Sequence, residues 1–220
     1  IAGLEKKSRR LGPKEKNIVA YHETGHAIVS QSIEGADEVK KVSIVSRGIA
    51  ALGYTLQVPI EDRYLMTQTE LHAKICGLLG GRAAEEIILG DISTGASNDL
   101  QRVTGIARRI VADFGMSKSL GNVSYGDTQD QYLGQMGASS RQYSEKTALL
   151  IDEEIHTLVD SLYTRTLDIL NANHDLLVEM SEHLKEVEVL DGEELRSFLD
   201  RVKPFSEMGT DGSAESPTWS

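Results

Sequence analysis

The residues best suited to chemistry in this sequence are His22, Glu23 and His26, which share the string His-Glu-Thr-Gly-His. On a helix, residues four positions apart lie one turn apart on the same face, so both imidazoles can bind one ion. Neutral imidazole suits zinc, and a catalytic zinc has three protein ligands and an open fourth position. The spacing therefore predicts a zinc centre, and the alternative is an amphipathic helix with two histidines and no metal.

Glu23 lies beside the first histidine and is predicted to point toward the open position of that centre. Zinc lowers the pKa of a bound water to about 7 and polarises carbonyl groups. A carboxylate in this place can take a proton from the zinc-activated water and later deliver it to a leaving amine. Glu23 is therefore predicted to be the general base, and then the general acid, of a peptide hydrolase.

The third protein ligand cannot be chosen from the spacing of residues. No third histidine follows His26 at short range, and the other histidines are expected to be solvated or locally hydrogen-bonded: His72, His156, His174 and His183. Two carboxylate candidates remain, the pair Glu85 and Glu86 on a predicted helix and Asp99 behind a loop of small residues. An acid in the first turn of a helix is also stabilised by the helix dipole without a metal, so the choice stays open.

The elements that must position these residues are mostly helices. Apolar periodicity and capping residues predict helices over about 14–32, 67–89, 98–113, 141–170 and 175–186, and from Asp191 onward. Alternating residues in 39–58 predict one or two short strands, and 115–137 is predicted to be a long loop. Two adjacent glycines, Gly80 and Gly81, are expected to weaken the middle of the second helix. The fold class is therefore mainly α with a small β-sheet, an α+β fold.

Composition argues against some classes of function. The 220 residues carry a formal charge of −11, which argues against a nucleic acid partner. No run of about 18 apolar residues predicts a membrane span, and a single cysteine, Cys76, excludes an internal disulfide. The chain opens with Ile1 and a basic stretch, so we expect a soluble fragment that begins with a connector over 1–12. Residues 203–220 are expected to form a disordered tail.

Several motifs together resemble the protease domain of the FtsH family. The members of this family are ATP-dependent, membrane-anchored zinc metalloproteases. The resemblance runs from the basic connector to about Val202 and rests on these strings, in this order: His22-Glu-Thr-Gly-His26, Leu52-Gly-Tyr-Thr-Leu-Gln-Val-Pro59, Gly80-Gly-Arg-Ala-Ala-Glu-Glu86, Thr94-Gly-Ala-Ser-Asn-Asp99 and Phe114-Gly-Met-Ser117. It implies a zincin-like domain over 13–202, with the zinc site in 13–115 and a helical region over 141–202.

The resemblance also implies roles for particular residues. One zinc per chain would be bound by His22, His26 and Asp99, with Glu23 catalytic. Glu85 or Glu86 would then orient a ligating histidine through its other ring nitrogen.

The rest of the expected assembly also follows from the resemblance. The connector would join an upstream ATPase domain, where ATP would bind, and membrane segments; this domain would lie on the cytoplasmic, matrix or stromal side. No Gly-x-x-x-x-Gly-Lys-Ser/Thr phosphate loop occurs in the 220 residues, so no ATP site is expected here. The family resemblance implies a homo-hexameric ring that degrades unfolded, damaged or membrane proteins.

Two further hypotheses concern substrate and activity. The alternating segment Ala50–Val58 is predicted to be an edge strand that holds an extended substrate through backbone hydrogen bonds. Its alternative is a hairpin that only covers the core. The alternatives to an ATP-dependent peptidase are a catalytically silent oligomerisation module, and an independent soluble peptidase that uses Glu85 or Glu86 as a zinc ligand.

Overall fold

The computed structural model describes residues 11–45, 52–58, 65–126 and 143–205. These ranges contain six α-helices and a three-stranded antiparallel sheet, which confirms the predicted mainly α fold with a small sheet. Most of the connector, 1–10, and most of the tail, 206–220, lie outside the described residues. The tail was expected to be disordered from 203, but Lys203 is held in place, since its N–H donates to Asn173 at 2.8 Å and its carbonyl oxygen accepts from Ser32 at 2.9 Å. Among the described residues, no helix is both long and apolar enough to cross a bilayer.

Helix α1, Pro13–Ser32, is the centre of the fold. Pro13 begins the helix with a preset backbone angle, and the Gly12 N–H donates to the Glu15 carboxylate at 3.2 Å. Every residue from Val19 to Ser30 is buried, so this stretch of α1 is enclosed on all sides and not amphipathic. The polar string His22 to His26 therefore lies inside the protein.

Helix α2, Gln68–Leu89, packs lengthwise against α1. The predicted capping box at its start is present, since the Thr67 N–H donates to Glu70 at 2.7 Å. The helix ends at Gly90, which adopts the left-handed conformation. The expectation that Gly80 and Gly81 weaken its middle is wrong, because the helix is continuous and buried there.

Glycines in both helices allow α2 to lie close to α1. A Cβ on Gly80 would lie 2.7 Å from the carbonyl oxygen of Gly25, and one on Gly25 would lie 2.6 Å from the Ala84 Cβ. Side chains at either position would force the two helices apart. The tertiary contact therefore outweighs the low helix propensity of glycine.

The sheet has the order β2-β1-β3, with β1 at Glu38–Ser43, β2 at Tyr54–Val58 and β3 at Val189–Asp191. Strand β2 pairs Thr55 with Val42 of β1 and lies at the edge of the sheet among the described residues. It starts later than the predicted segment, since Leu52 and Gly53 precede the strand and residues 50 and 51 lie outside the described ranges. Strand β3 was not predicted because a three-residue strand has no measurable periodicity.

The remaining helices pack around α1 and α2. A short 3-10 turn, Thr94–Ala96, leads into α3, Ser97–Arg108, and a π-helical turn at Arg109–Asp113 follows. The C-terminal region consists of α4 at Glu145–Ala172, α5 at His174–Val187 and α6 at Gly192–Leu199. The described part of the predicted loop, residues 115–126, has no helix or strand, and residues 127–137 lie outside the described ranges.

Replacing Gly80 by alanine is expected to lower the free energy of unfolding by about 1–3 kcal/mol, because the new Cβ would meet the backbone of α1. Urea denaturation of the metal-free protein measures this change. The matched control is Gly105→Ala in α3, where a Cβ meets nothing within 4 Å. That substitution is expected to raise stability by about 0.5–1 kcal/mol. Equal effects of the two substitutions would contradict the proposed packing role of Gly80.

Candidate metal centre

His22 and His26 lie one turn apart on the buried helix α1, as their spacing predicts. Their Nε2 atoms are 3.1 Å apart, and Oδ2 of Asp99, in the first turn of α3, is 3.5 Å from each of them. The three ligand atoms form a compact cluster that could hold a metal ion. Of the sequence candidates for a third ligand, the structure brings Asp99 to the two Nε2 atoms.

The other nitrogen of each imidazole is hydrogen-bonded. Nδ1 of His26 lies 2.7 Å from the carbonyl oxygen of Gly77, and Nδ1 of His22 lies 2.6 Å from Oε1 of Glu85. A carbonyl oxygen can only accept, so Nδ1 of His26 must carry the proton; an ionised Glu85 sets the same tautomer in His22. Both Nε2 lone pairs are then directed into the cluster.

This arrangement fits a cation. Two lone pairs and a carboxylate oxygen at these separations repel one another unless a proton or a metal ion lies among them. Ligand atoms about 2.0–2.1 Å from a tetrahedral zinc ion are about 3.3 Å from one another, close to the 3.1 and 3.5 Å seen here. Two imidazoles and one carboxylate are also a ligand set that zinc uses in catalytic sites.

Glu85 and Glu86, which the sequence could not tell apart, have different contacts. Glu85 is buried; Oε1 accepts from His22 and Oε2 accepts the Ser93 N–H at 2.6 Å. It thereby links a histidine to the loop that leads to Asp99. Glu86 instead accepts a hydrogen bond from the Tyr163 hydroxyl at 2.6 Å. Only Glu85 of this pair therefore contacts the imidazole of His22.

The space for the His22 ring comes from Gly81 on α2. A Cβ at this position would lie 2.6 Å from Nε2 of His22. The two adjacent glycines therefore have different functions: Gly80 admits the backbone of α1, and Gly81 admits the imidazole.

Glu23 lies on a different side of α1 and faces strand β2. It is 7% exposed, and its Oε2 accepts a hydrogen bond from the Thr55 hydroxyl at 2.8 Å. A Cβ on Gly53 would lie 2.9 Å from Oε1, so the absence of a side chain there leaves room for this oxygen. Burial raises the pKa of Glu23, and His26, His22 and Thr55 oppose that rise.

The charges in the cluster favour a bound cation. Burial lowers the pKa of His22, but the carboxylates of Asp99, Glu85 and Glu23 outweigh burial and raise it to about 9. Burial likewise opposes ionisation of Asp99, yet its contacts with the two histidines hold its pKa well below the usual range. The surrounding carboxylates therefore stabilise positive charge at the imidazoles, which is the field that a metal cation requires.

The other histidines are not part of this cluster. Nε2 of His72 is buried and has no hydrogen-bond partner among the described residues, which differs from the expectation for this histidine. His156, His174 and His183 pair with nearby acids, the closest contact being 2.7 Å between His183 and Glu194. The sequence did not identify Gly77 and Ser93 as parts of the site, because they act through backbone groups that have no side-chain signature. Thr55 was also missed, although its place in an alternating segment with Gly53 could have directed attention to it.

Comparison with known proteins identifies the family of this chain. The model of peptidase family M41 matches residues 9–198. A protein of Pseudothermotoga lettingae named ATP-dependent zinc metalloprotease FtsH is 53% identical over 200 residues, which are 90% of this chain and 32% of that protein.

Two further relatives show the same coverage. ATP-dependent zinc metalloprotease FtsH 4 of Synechocystis sp. is 52% identical over 205 residues, 92% of this chain and 33% of the relative. ATP-dependent zinc metalloprotease FtsH of Bacillus subtilis is 48% identical over 202 residues, 91% of this chain and 32% of the relative. The chain thus spans about a third of the length of the curated relatives that it matches.

Substituting Glu85 by glutamine is expected to weaken zinc binding by about 10- to 100-fold, measured by competition with a chromogenic chelator. The amide has one acceptor oxygen, whereas Glu85 accepts from both His22 and Ser93. Glu86→Gln is the matched control, since it changes the contact with Tyr163 and is expected to leave zinc affinity within about twofold. Equal loss in both variants would contradict the assigned role of Glu85.

Proposed function

Because this chain belongs to peptidase family M41, we propose that it is a zinc-dependent endopeptidase module that hydrolyses peptide bonds of unfolded or damaged proteins. The observation that carries the proposal is the cluster of two imidazole Nε2 atoms and the Asp99 carboxylate within 3.5 Å of one another. The buried carboxylate of Glu23 lies beside it on the same helix.

His22, His26 and Asp99 would hold one zinc ion per chain. When bound, zinc would supply Lewis-acid polarisation of the scissile carbonyl and lower the pKa of water. Glu85 would keep the His22 ring in the required tautomer and orientation, and Gly77 would do the same for His26.

Glu23 would be the proton carrier. Thr55 holds Oε2, and the space beside Gly53 leaves Oε1 as the oxygen that can take a proton. Its carboxylate would accept that proton from the attacking water and return it to the leaving amine, which restores the starting state. Burial of Glu23 excludes bulk solvent from this exchange.

Strand β2 would align the substrate. Among the described residues β2 pairs with β1 on one side, and its residues Leu56 and Val58 are exposed. An extended polypeptide that adds to the other side of β2 would be held through backbone groups and would pass beside Glu23. Such binding is insensitive to side-chain identity, as degradation of unfolded proteins requires.

The whole protein would contain more than this module. We propose that residues 13–202 form the protease domain and that 1–12 connect it to an upstream ATPase domain and membrane segments. The ATP-dependent relatives, of which this chain spans about a third, support that arrangement. The full protein would be a membrane-anchored homo-hexamer, with this domain on the cytoplasmic, matrix or stromal side and with unfolded or membrane proteins as substrates.

Asp99→Ala is expected to abolish stoichiometric zinc binding and casein cleavage together, because the cluster of His22, His26 and Asp99 loses its carboxylate ligand atom. Glu23→Gln is expected to keep about one zinc per chain and to lower cleavage by about 10²- to 10⁴-fold, since the amide cannot carry the proton. Metal analysis and casein hydrolysis on the same samples measure both.

The outcomes of this experiment separate the alternatives. Full zinc and activity in Asp99→Ala would assign the third ligand to another residue, with Glu85→Ala as the next test. A folded parent chain that neither binds zinc nor cleaves casein would support a silent module.

N-methylation of single backbone amides in a fluorogenic peptide substrate is expected to raise KM at alternate positions by about 10-fold or more, because strand addition uses every second amide. Side-chain substitutions at the same positions serve as the control and are expected to have smaller effects. A uniform response along the peptide would contradict binding along β2.

A further inference from the structure

We propose that Thr55 is a positioning residue for the reaction, which holds the Glu23 carboxylate in the orientation needed for proton transfer. This inference rests on the proposed peptidase function. It assigns to the edge strand β2 a task in catalysis that is separate from the alignment of substrate.

The contact that carries the inference is short and specific. The Thr55 hydroxyl lies 2.8 Å from Oε2 of Glu23 and 3.1 Å from the backbone carbonyl oxygen of the same residue. A hydroxyl has one proton to donate, and an ionised carboxylate is the stronger of the two acceptors. Thr55 therefore fixes one oxygen of Glu23.

Glu23 needs such a partner more than the neighbouring histidines do. Each imidazole is oriented through Nδ1, by Glu85 or by Gly77, whereas a glutamate has three rotatable side-chain bonds. Within the described part of the chain, the hydrogen bond to the Glu23 carboxylate comes from Thr55. Loss of that bond would let the carboxylate rotate, and a displacement of about 1 Å at a reacting group can lower the rate about 100-fold.

Strand pairing and the branched side chain restrict the position of the hydroxyl. Thr55 is β-branched, which restricts its side-chain rotation, and it pairs with the fully buried Val42 in the middle of the sheet. Gly53, two residues earlier, leaves room on the Oε1 side of Glu23. Thr55 and Gly53 thus act on the two oxygens of one carboxylate: the Thr55 hydroxyl binds Oε2, and Gly53 places no side chain against Oε1.

The experiment compares Thr55→Val, Thr55→Ser and a control in the zinc-loaded chain. Valine keeps the shape and strand preference of threonine without the hydroxyl, and serine restores the hydroxyl without the methyl group. The matched control is Ser30→Ala, which removes a second side-chain hydrogen bond between β2 and α1, donated by Gln57 at 2.8 Å. Readouts are kcat and KM for a fluorogenic peptide, zinc affinity by chelator competition, and the thermal unfolding midpoint.

We expect Thr55→Val to lower kcat by about 10- to 100-fold, with KM and zinc affinity within about twofold of the parent. Thr55→Ser is expected to recover kcat to within about threefold of the parent, and Ser30→Ala to retain kcat within about twofold. A crystal structure of Thr55→Val is expected to show the Glu23 carboxylate displaced. Thr55→Ala provides a second test if the unfolding midpoint shows that valine is not accommodated.

Four results would overturn the inference. Thr55→Val and Thr55→Ala with the kcat of the parent would show that the hydroxyl is not needed. Equal losses in Thr55→Val and Ser30→Ala, or loss of zinc in Thr55→Val, would show that Thr55 only attaches β2 to α1. A parent chain that neither binds zinc nor cleaves peptide would overturn the proposed function and this inference together, whereas an active parent with an unaffected variant overturns the inference alone.

Discussion

The close approach of Gly25 on α1 to Gly80 on α2 sets the distance on which the metal centre depends. Helices usually pack with their axes 8–10 Å apart, at a separation set by the side chains between them. Here the absence of side chains brings the backbone of α2 within reach of the histidine rings. Gly77 and Glu85, which flank Gly80 along α2, can then bind the two Nδ1 atoms directly. A wider crossing would leave both imidazoles free to rotate.

The burial of α1 sets a second constraint. Buried polar side chains must have hydrogen-bond or charge partners, and those of the two histidines and Glu23 find them on other elements than α1. Three elements meet this need: α2 supplies Glu85, α3 supplies Asp99 and β2 supplies Thr55. Each contact orients a functional side chain and also attaches one element to α1. The chemistry and the packing of this domain thus use the same polar contacts.

The sequence alone predicts much of the fold and of the candidate metal centre. The predictions that were wrong or left open have physical reasons. The caps at Thr67 and Gly90 and the spacing of His22 and His26 are local signals, so they predict local structure correctly. The choice between Asp99 and Glu85 is a question of distance in space. Glu85 lies near the end of α2 and Asp99 in the first turn of α3, so neither the residue type nor the spacing selects one, and only the family resemblance favoured Asp99. Gly80 was misjudged because helix propensity describes an isolated helix, whereas its value here comes from the neighbouring backbone.

The pairing of β3 with β1 has a consequence for the order in which the protein matures during synthesis. Lys41 on β1 pairs with Asp191 on β3, 150 residues further along the chain. At a synthesis rate of about 5–20 residues per second, β1 waits about 8–30 s for that partner. Helix α5, which also covers α1, is made in the same late stretch. The face of α1 that α5 covers therefore stays exposed on the ribosome until most of the domain has emerged, whereas the face that packs against α2 is covered much earlier.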